Sequence, residues 1–164
     1  MYEYTEADHL KIIPGRDPGR YLLRPGDVLF MSRGLRNTAA VIGSIPKRTI
    51  APLSFYVIRP KAGVDPAYLA WCLNQAPAQT AITQIRTGAG TPLVPRKEFG
   101  EITIPLPPIE VQRRIARLGA LMGRERHLVA QLREVTERAH RLLGQQLIES
   151  LHTKDETKTA RSTR

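Results

Sequence analysis

The chain has one cysteine, Cys72, in 164 residues. That excludes an internal disulfide framework and any zinc site built from cysteine pairs. Cys72 stands among Leu69, Ala70, Trp71 and Leu73, a setting that suits a small buried hydrophobe. Histidine is nearly as scarce. His9, His127, His140 and His152 form no His-x-x-x-His pair and no carboxylate–histidine cluster, so no metal site is expected. Long apolar runs are missing as well. None approaches the ~18 residues of a bilayer span, so no membrane partner is expected. The opening Met1-Tyr2-Glu3-Tyr4-Thr5-Glu6 has no basic-then-apolar leader, and the cytoplasm is the expected address.

Catalytic signatures are also absent. Gly88-Ala89-Gly90-Thr91 has neither the Lys-Ser/Thr of a Walker loop nor the third glycine of a dinucleotide fingerprint. Ser32 precedes Arg33-Gly34 without a Gly-x-Ser-x-Gly elbow or an evident base. No cofactor is expected, and no enzyme acting alone.

What the chain does have is positive charge. The net charge is +10 and the pI is near 10.4. It divides evenly: residues 1–108 carry 13 basic and 8 acidic groups, and residues 109–164 carry 12 and 7. A polyanionic partner is the first reading, and nucleic acid is the commonest such partner. A solvated arginine-rich surface is the bland alternative.

Proline marks the main joint. Ile102-Thr103-Ile104 alternates like an extended strand and meets Pro105, Pro107 and Pro108. These cannot donate to a ladder or sit inside a helix, so an extended segment ends there and a helix begins. Glu110 falls in the first turn, where a carboxylate suits the positive end of the helix dipole. From Val111 a seven-residue rhythm follows. One column holds Val111, Leu118, Glu125, Leu132, Ala139 and Gln146. Another holds Leu121, Leu128, Val135 and Leu142, and Met122, Val129 and Leu143 widen the stripe. Such a seam predicts a projecting helix that pairs with another. Glu110–Leu151 as one helix would run roughly 60 Å at ~1.5 Å per residue. From residue 152 onward the composition predicts a disordered tail.

Upstream, residues 1–20 read as an irregular arm around Pro14-Gly15 and Pro18-Gly19. Pro25-Gly26 is a type II turn signal, and Asp27 is expected as a turn carboxylate. Val28–Met31 and Ala39–Gly43 predict a hairpin, and Ile50–Ile58 a further strand. Asp65-Pro66 opens a helix as N-cap and first helical residue, and Pro77 is expected to end it. Gln79–Ile85 suggests another helix. The fold class is α+β: a β-rich domain over 21–108 with small helices, then the long helix over 109–151.

Two stretches resemble a known family. Leu23-Arg24-Pro25-Gly26-Asp27-Val28-Leu29-Phe30 is similar to the Gly-Asp strand of Type I restriction–modification specificity subunits. Ile104-Pro105-Leu106-Pro107-Pro108-Ile109-Glu110-Val111-Gln112-Arg113-Arg114-Ile115 resembles the junction where that family's target-recognition domain hands over to a long conserved helix. Asp65–Leu73 and the loop from Thr87 to Val94 suit the same plan, so the resemblance covers roughly residues 21–151. It implies duplex DNA as partner, a separate methyltransferase subunit docked on the chain, a translocase subunit in the wider complex, and no catalysis by the chain itself. In that family a full subunit carries two recognition domains and two antiparallel helices. This sequence holds one of each, and residues 1–20 do not supply the family's opening strand. Either it is a half-subunit that homodimerises through its helix, or it is a repurposed member that binds partners without reading DNA.

Direct readout needs donors on turns, arginine for guanine and asparagine or glutamine for adenine. On that ground the candidate DNA-binding residues are Arg33, Arg36, Asn37, Lys47, Arg48, Arg86, Arg96 and Lys97. Thr87, Thr91 and the Gly88–Gly90 backbone are the phosphate-contact candidates. The candidate pairing residues are Leu118, Leu121, Leu128, Leu132, Val135 and Leu142.

Overall fold

A computed structural model describes residues 18–46 and 48–162. The chain divides into two units, Met1–Leu121 and Met122–Arg164. The arm expected over residues 1–20 lies mostly outside the described residues, as does Lys47; Gly19–Tyr21 forms a single 3-10 turn.

The first unit is built on a small antiparallel sheet. β1 (Val28–Met31) lies at its centre, flanked by β2 (Ala39–Val41) and β3 (Phe55–Ile58). The register sets Val28 opposite both Val41 and Ile58, and Phe30 opposite Ala39 and Tyr56. The expected hairpin is therefore present. The expected strand over Ile50–Ile58 is shorter. Pro52 closes a turn by accepting from the Phe55 amide, and Ile50 makes only an isolated bridge to Leu22. Four helices follow: α1 (Pro66–Leu73), α2 (Ala76–Ile85), α3 (Arg96–Gly100) and α4 (Ile109–Ser162). The unit is mixed α+β with a modest sheet rather than β-rich.

Local chemistry accounts for the start of α1. Asp65 caps α1 by accepting from the Tyr68 amide, with Pro66 in the first turn. Pro77 does not end α1. It sits in the first turn of α2, where its missing N–H costs no helical bond. α1 stops instead at Asn74, whose side-chain amide leaves the helix for β2. Its Nδ2 donates to the Ala39 carbonyl and its Oδ1 accepts from the Ala39 amide, both at 2.8 Å.

α1 is buried on two sides. Ala70 and Leu73 join Val28, Phe30, Ala39, Ile82 and Val94 in the main core, where Phe30 stacks on Phe99 at 4.3 Å. Tyr68 and Cys72 form a second cluster with Ala116 of α4, joined by Trp71, Ile104 and Ile115. Burial pushes the Cys72 thiol up from its ordinary pKa, as expected for an inert buried cysteine. It pushes the Tyr68 phenol up to about 12. That phenol donates to the Pro105 carbonyl at 2.8 Å and fixes the proline turn.

The Ile102–Ile104 segment joins no ladder, contrary to the strand expected there. Ile102 and Ile104 pack against the cores, and α3 occupies the preceding stretch. Gln112 explains how α4 is seated. It is 1% exposed, and its Oε1 accepts from the Asp65 amide. Its Nε2 donates to the Gly63 and Pro107 carbonyls. One amide thus ties together the cap of α1, the loop before it and the proline turn. Farther along, a Cβ at Gly119 would overlap the Trp71 indole, so glycine permits the two helices to approach. These contacts are why the first unit ends at Leu121, inside α4, rather than at the proline turn.

The second unit, from Met122 on, is helix throughout its described residues. Leu128, Val129, Leu132, Val135, Leu142 and Leu143 are all exposed. Arg133 and Glu137 pair one turn apart. The helix runs past Leu151 to Ser162, into the stretch expected to be disordered. No proline or glycine follows Gly144 to break it. Among the described residues no helix is long and apolar enough to cross a membrane.

Candidate nucleic-acid interface

Ser32 organises one end of the sheet. It is fully buried, and its amide and hydroxyl both donate to the Ser54 carbonyl, at 2.8 and 2.9 Å. Its own carbonyl accepts from the Val94 amide at 2.8 Å. The hydroxyl is thus committed to a structural bond between the exit of β1 and the entry of β3. Val94, itself fully buried, draws the segment before α3 alongside β1.

From there two loops are stitched together through backbone. Arg33 bridges Leu93, and the Gly34 amide donates to the Pro92 carbonyl at 2.8 Å. Leu93 also pairs with Thr87 in both directions, at 2.8 and 2.9 Å. Arg86 Nη1 reaches across to the Leu35 carbonyl at 3.1 Å. The Leu93 segment therefore lies between residues 32–34 and residue 87. Gly34 has φ +100°, a left-handed conformation that glycine adopts without strain and that shapes the turn.

This places much of the expected set together. Arg33, Arg36, Thr87 and Thr91 are exposed on the stitched loops. Arg86 is half-buried and partly spent on Leu35. Arg96 and Lys97 open α3 two and three residues beyond buried Val94, both exposed. Among the described residues no ion pair neutralises any of these five cations. The group is a basic edge with the Thr87 and Thr91 hydroxyls and the Gly88 and Gly90 amides beside it, suited to phosphate and to guanine edges.

Two expected members stand apart. Asn37 is 3% exposed; its Nδ2 donates to the Met31 carbonyl and its own carbonyl accepts from Gln79 Nε2. It shapes the turn from within, and its buried amide is not presented on the surface where a base edge would lie. Asparagine serves turn-building and adenine-reading equally well on paper, so the sequence did not separate the two roles. Arg48 is exposed, with φ +63°, but its turn follows β2, whose far end aligns with the start of β1. It belongs to the opposite end of the sheet. Lys47 lies outside the described residues.

That opposite end holds an ion pair the sequence did not announce. Asp27 is 1% exposed and accepts from Arg59 through both oxygens, each at 2.7 Å, and from the Arg24 amide at 2.8 Å. The Arg59 side-chain bond holds the Asp27 carboxyl below its ordinary pKa, against the opposing effect of burial. A shallow cleft of about 230 Å³ opens here, lined by Arg24, Pro25, Gly26, Asp27, Arg59, Pro60, Val64 and Pro66. The turn carboxylate was legible in Pro-Gly-Asp, but no local signal marked Arg59 as its partner.

The dimerisation candidates remain open to solvent. Leu118 and Leu121 in the first unit are 58% and 62% exposed, and Leu128, Leu132, Val135 and Leu142 in the second are similarly uncovered. Among the described residues no three His, Cys, Asp or Glu side chains gather where they could hold a metal ion. No protein-family model matches the chain, and no curated protein matches it either.

Proposed function

We propose that the chain binds duplex DNA sequence-specifically as a half-size specificity subunit of a Type I-like restriction–modification system. In this reading it recruits a methyltransferase subunit and dimerises through α4. The observation that supports it best is the stitched edge. Arg33, Arg36 and Arg86 lie on loops held by main-chain bonds, Arg96 and Lys97 open α3 just beyond them, and among the described residues no carboxylate pairs with any of the five. Positioned cations of this kind supply both guanine contacts and phosphate anchoring. The junction with its buried Gln112 gives a physical reason for the proline-rich motif on which the resemblance rests.

The test is selection from a randomised duplex pool by the full chain, followed by anisotropy titrations with and without a co-purified methyltransferase. The selected duplex should bind at least about tenfold more tightly than its scrambled counterpart. Arg33→Ala and Arg36→Ala should each cost about 1–3 kcal/mol at the guanine they contact. Equal affinity for all duplexes, with the methyltransferase present, rejects the reading.

One observation favours a second reading. With Asn37 buried, the edge lacks its expected amide reader, while the apolar columns of α4 remain exposed. A non-catalytic adaptor would keep the helix and dispense with base reading. In that case reversing the charges of Arg33 and Arg36 leaves partner capture intact, and Leu128→Glu abolishes it.

A further inference from the structure

The DNA-binding reading leaves one prominent side chain of the stitched edge without a role. Leu35 is 78% exposed, between exposed Arg36 and the Gly34 turn. Its backbone is not loose. The Gly34 amide is bonded to Pro92, the Leu35 carbonyl accepts from Arg86, and Arg33 bridges Leu93. A frayed loop could fold such a leucine back onto the protein. This loop is tied on both sides and presents it to water.

A second leucine leaves the same end of the sheet. Leu53 is 95% exposed and adjoins Ser54, whose carbonyl takes two bonds from Ser32, while Phe55 pairs with Met31. Leu35 stands alone between Gly34 and Arg36, whereas Leu53 ends the short apolar stretch Ile50-Ala51-Pro52-Leu53. A protein-docking surface would favour a contiguous apolar core with a polar rim. An isolated apolar tip between two arginines, as at Leu35, matches something else. In the major groove the only apolar group on a base edge is the thymine 5-methyl, and guanine beside it is the usual arginine contact.

We propose that Leu35 is a specificity-determining residue that contacts the 5-methyl group of a thymine in the major groove of the bound duplex. The proposal rests on the DNA-binding reading above. Arg33 and Arg36 hold the flanking edges or phosphates, and Leu35 adds discrimination for thymine between them. Leu53 offers a second apolar tip at the same end.

The probe is the duplex selected by the full chain from the randomised pool, remade with deoxyuridine at each thymine in turn, which removes only the methyl group. At one position the substitution should weaken wild-type binding by about three- to fivefold, the worth of one buried methyl. Leu35→Ala should weaken binding to the thymine duplex by a similar factor and bind the deoxyuridine duplex as wild type does. Leu106→Ala, at a leucine 59% exposed in the proline turn, should keep the full thymine preference. Because Leu35 is exposed, its loss should leave the circular dichroism spectrum unchanged. The contact is overturned if wild type is indifferent to every deoxyuridine, or if the preference survives in Leu35→Ala. An enriched site sensitive to Arg33→Ala but indifferent to deoxyuridine removes the leucine contact alone. A pool that yields no enriched site removes the DNA reading and this contact with it.

Discussion

Gln112 and Asp27 carry more structural consequence than their neighbours because each is a buried polar group with several partners. Gln112→Leu keeps the volume but orphans the Asp65 amide and two carbonyls. An orphaned buried group costs about 1–3 kcal/mol; Asp65 and Pro107 are half-buried, while Gly63 is exposed and its carbonyl can turn to water. A net loss of about 3 kcal/mol is expected in urea unfolding. For Asp27→Asn, breaking a buried ion pair costs roughly 3–5 kcal/mol. Arg59 is 45% exposed and regains water, which reduces the expected loss to about 2 kcal/mol. The pH dependence has a definite sign. The Asp27 carboxyl lies below its ordinary pKa in the folded protein, so the unfolded chain binds that proton more readily. The stabilisation is complete above the unfolded value of about 4 and is lost as pH falls through the folded one. Between pH 7 and acid, the urea midpoint of the wild type should fall more steeply than that of Asp27→Asn.

At the scale of elements, the contact between α1 and α4 decides where the compact unit ends. Gly119→Ala adds a methyl against the Trp71 indole. Helix propensity alone would favour alanine by about 1 kcal/mol. Overpacking costs about 1–3 kcal/mol, so the variant should be no more stable than wild type and up to about 2 kcal/mol less stable. Thermal unfolding checks it, and a stabilised variant contradicts the close approach. Elements with local signals were legible in the sequence: the Pro-Gly turn into β1, the Asp65-Pro66 cap, and the proline turn before α4. Those decided by tertiary partners were not. Ile102–Ile104 has strand chemistry but meets no free edge. Arg96–Gly100 is too short for a periodic signal. Pro77 reads as a stop or a start according to what precedes it, and Asn74 settles that by bonding to β2. The basic edge was half legible, since turn arginines stand out in a sequence while the bonds that gather their loops do not.

For the whole molecule, net charge and the helix surface set the expected solution behaviour. If all five cations of the edge met phosphates, affinity would fall roughly 500-fold between about 50 and 200 mM salt. A flat salt response would argue against an electrostatic footing altogether. Exposed columns such as Leu128–Val135–Leu142 predict self-association at micromolar concentration, and Leu128→Glu should return the chain to monomer in sedimentation. The sheet carries a contrasting device. β2 is an edge strand, open in principle to any extended chain that could extend the ladder. Asn74 occupies that edge at Ala39, imitating a neighbouring strand with one amide group. The two surfaces thereby differ: the helix presents exposed apolar columns, while the β2 edge of the sheet is occupied at Ala39 by a side-chain amide. Asn74→Ala should leave the oligomeric state unchanged and should make the heated protein precipitate sooner.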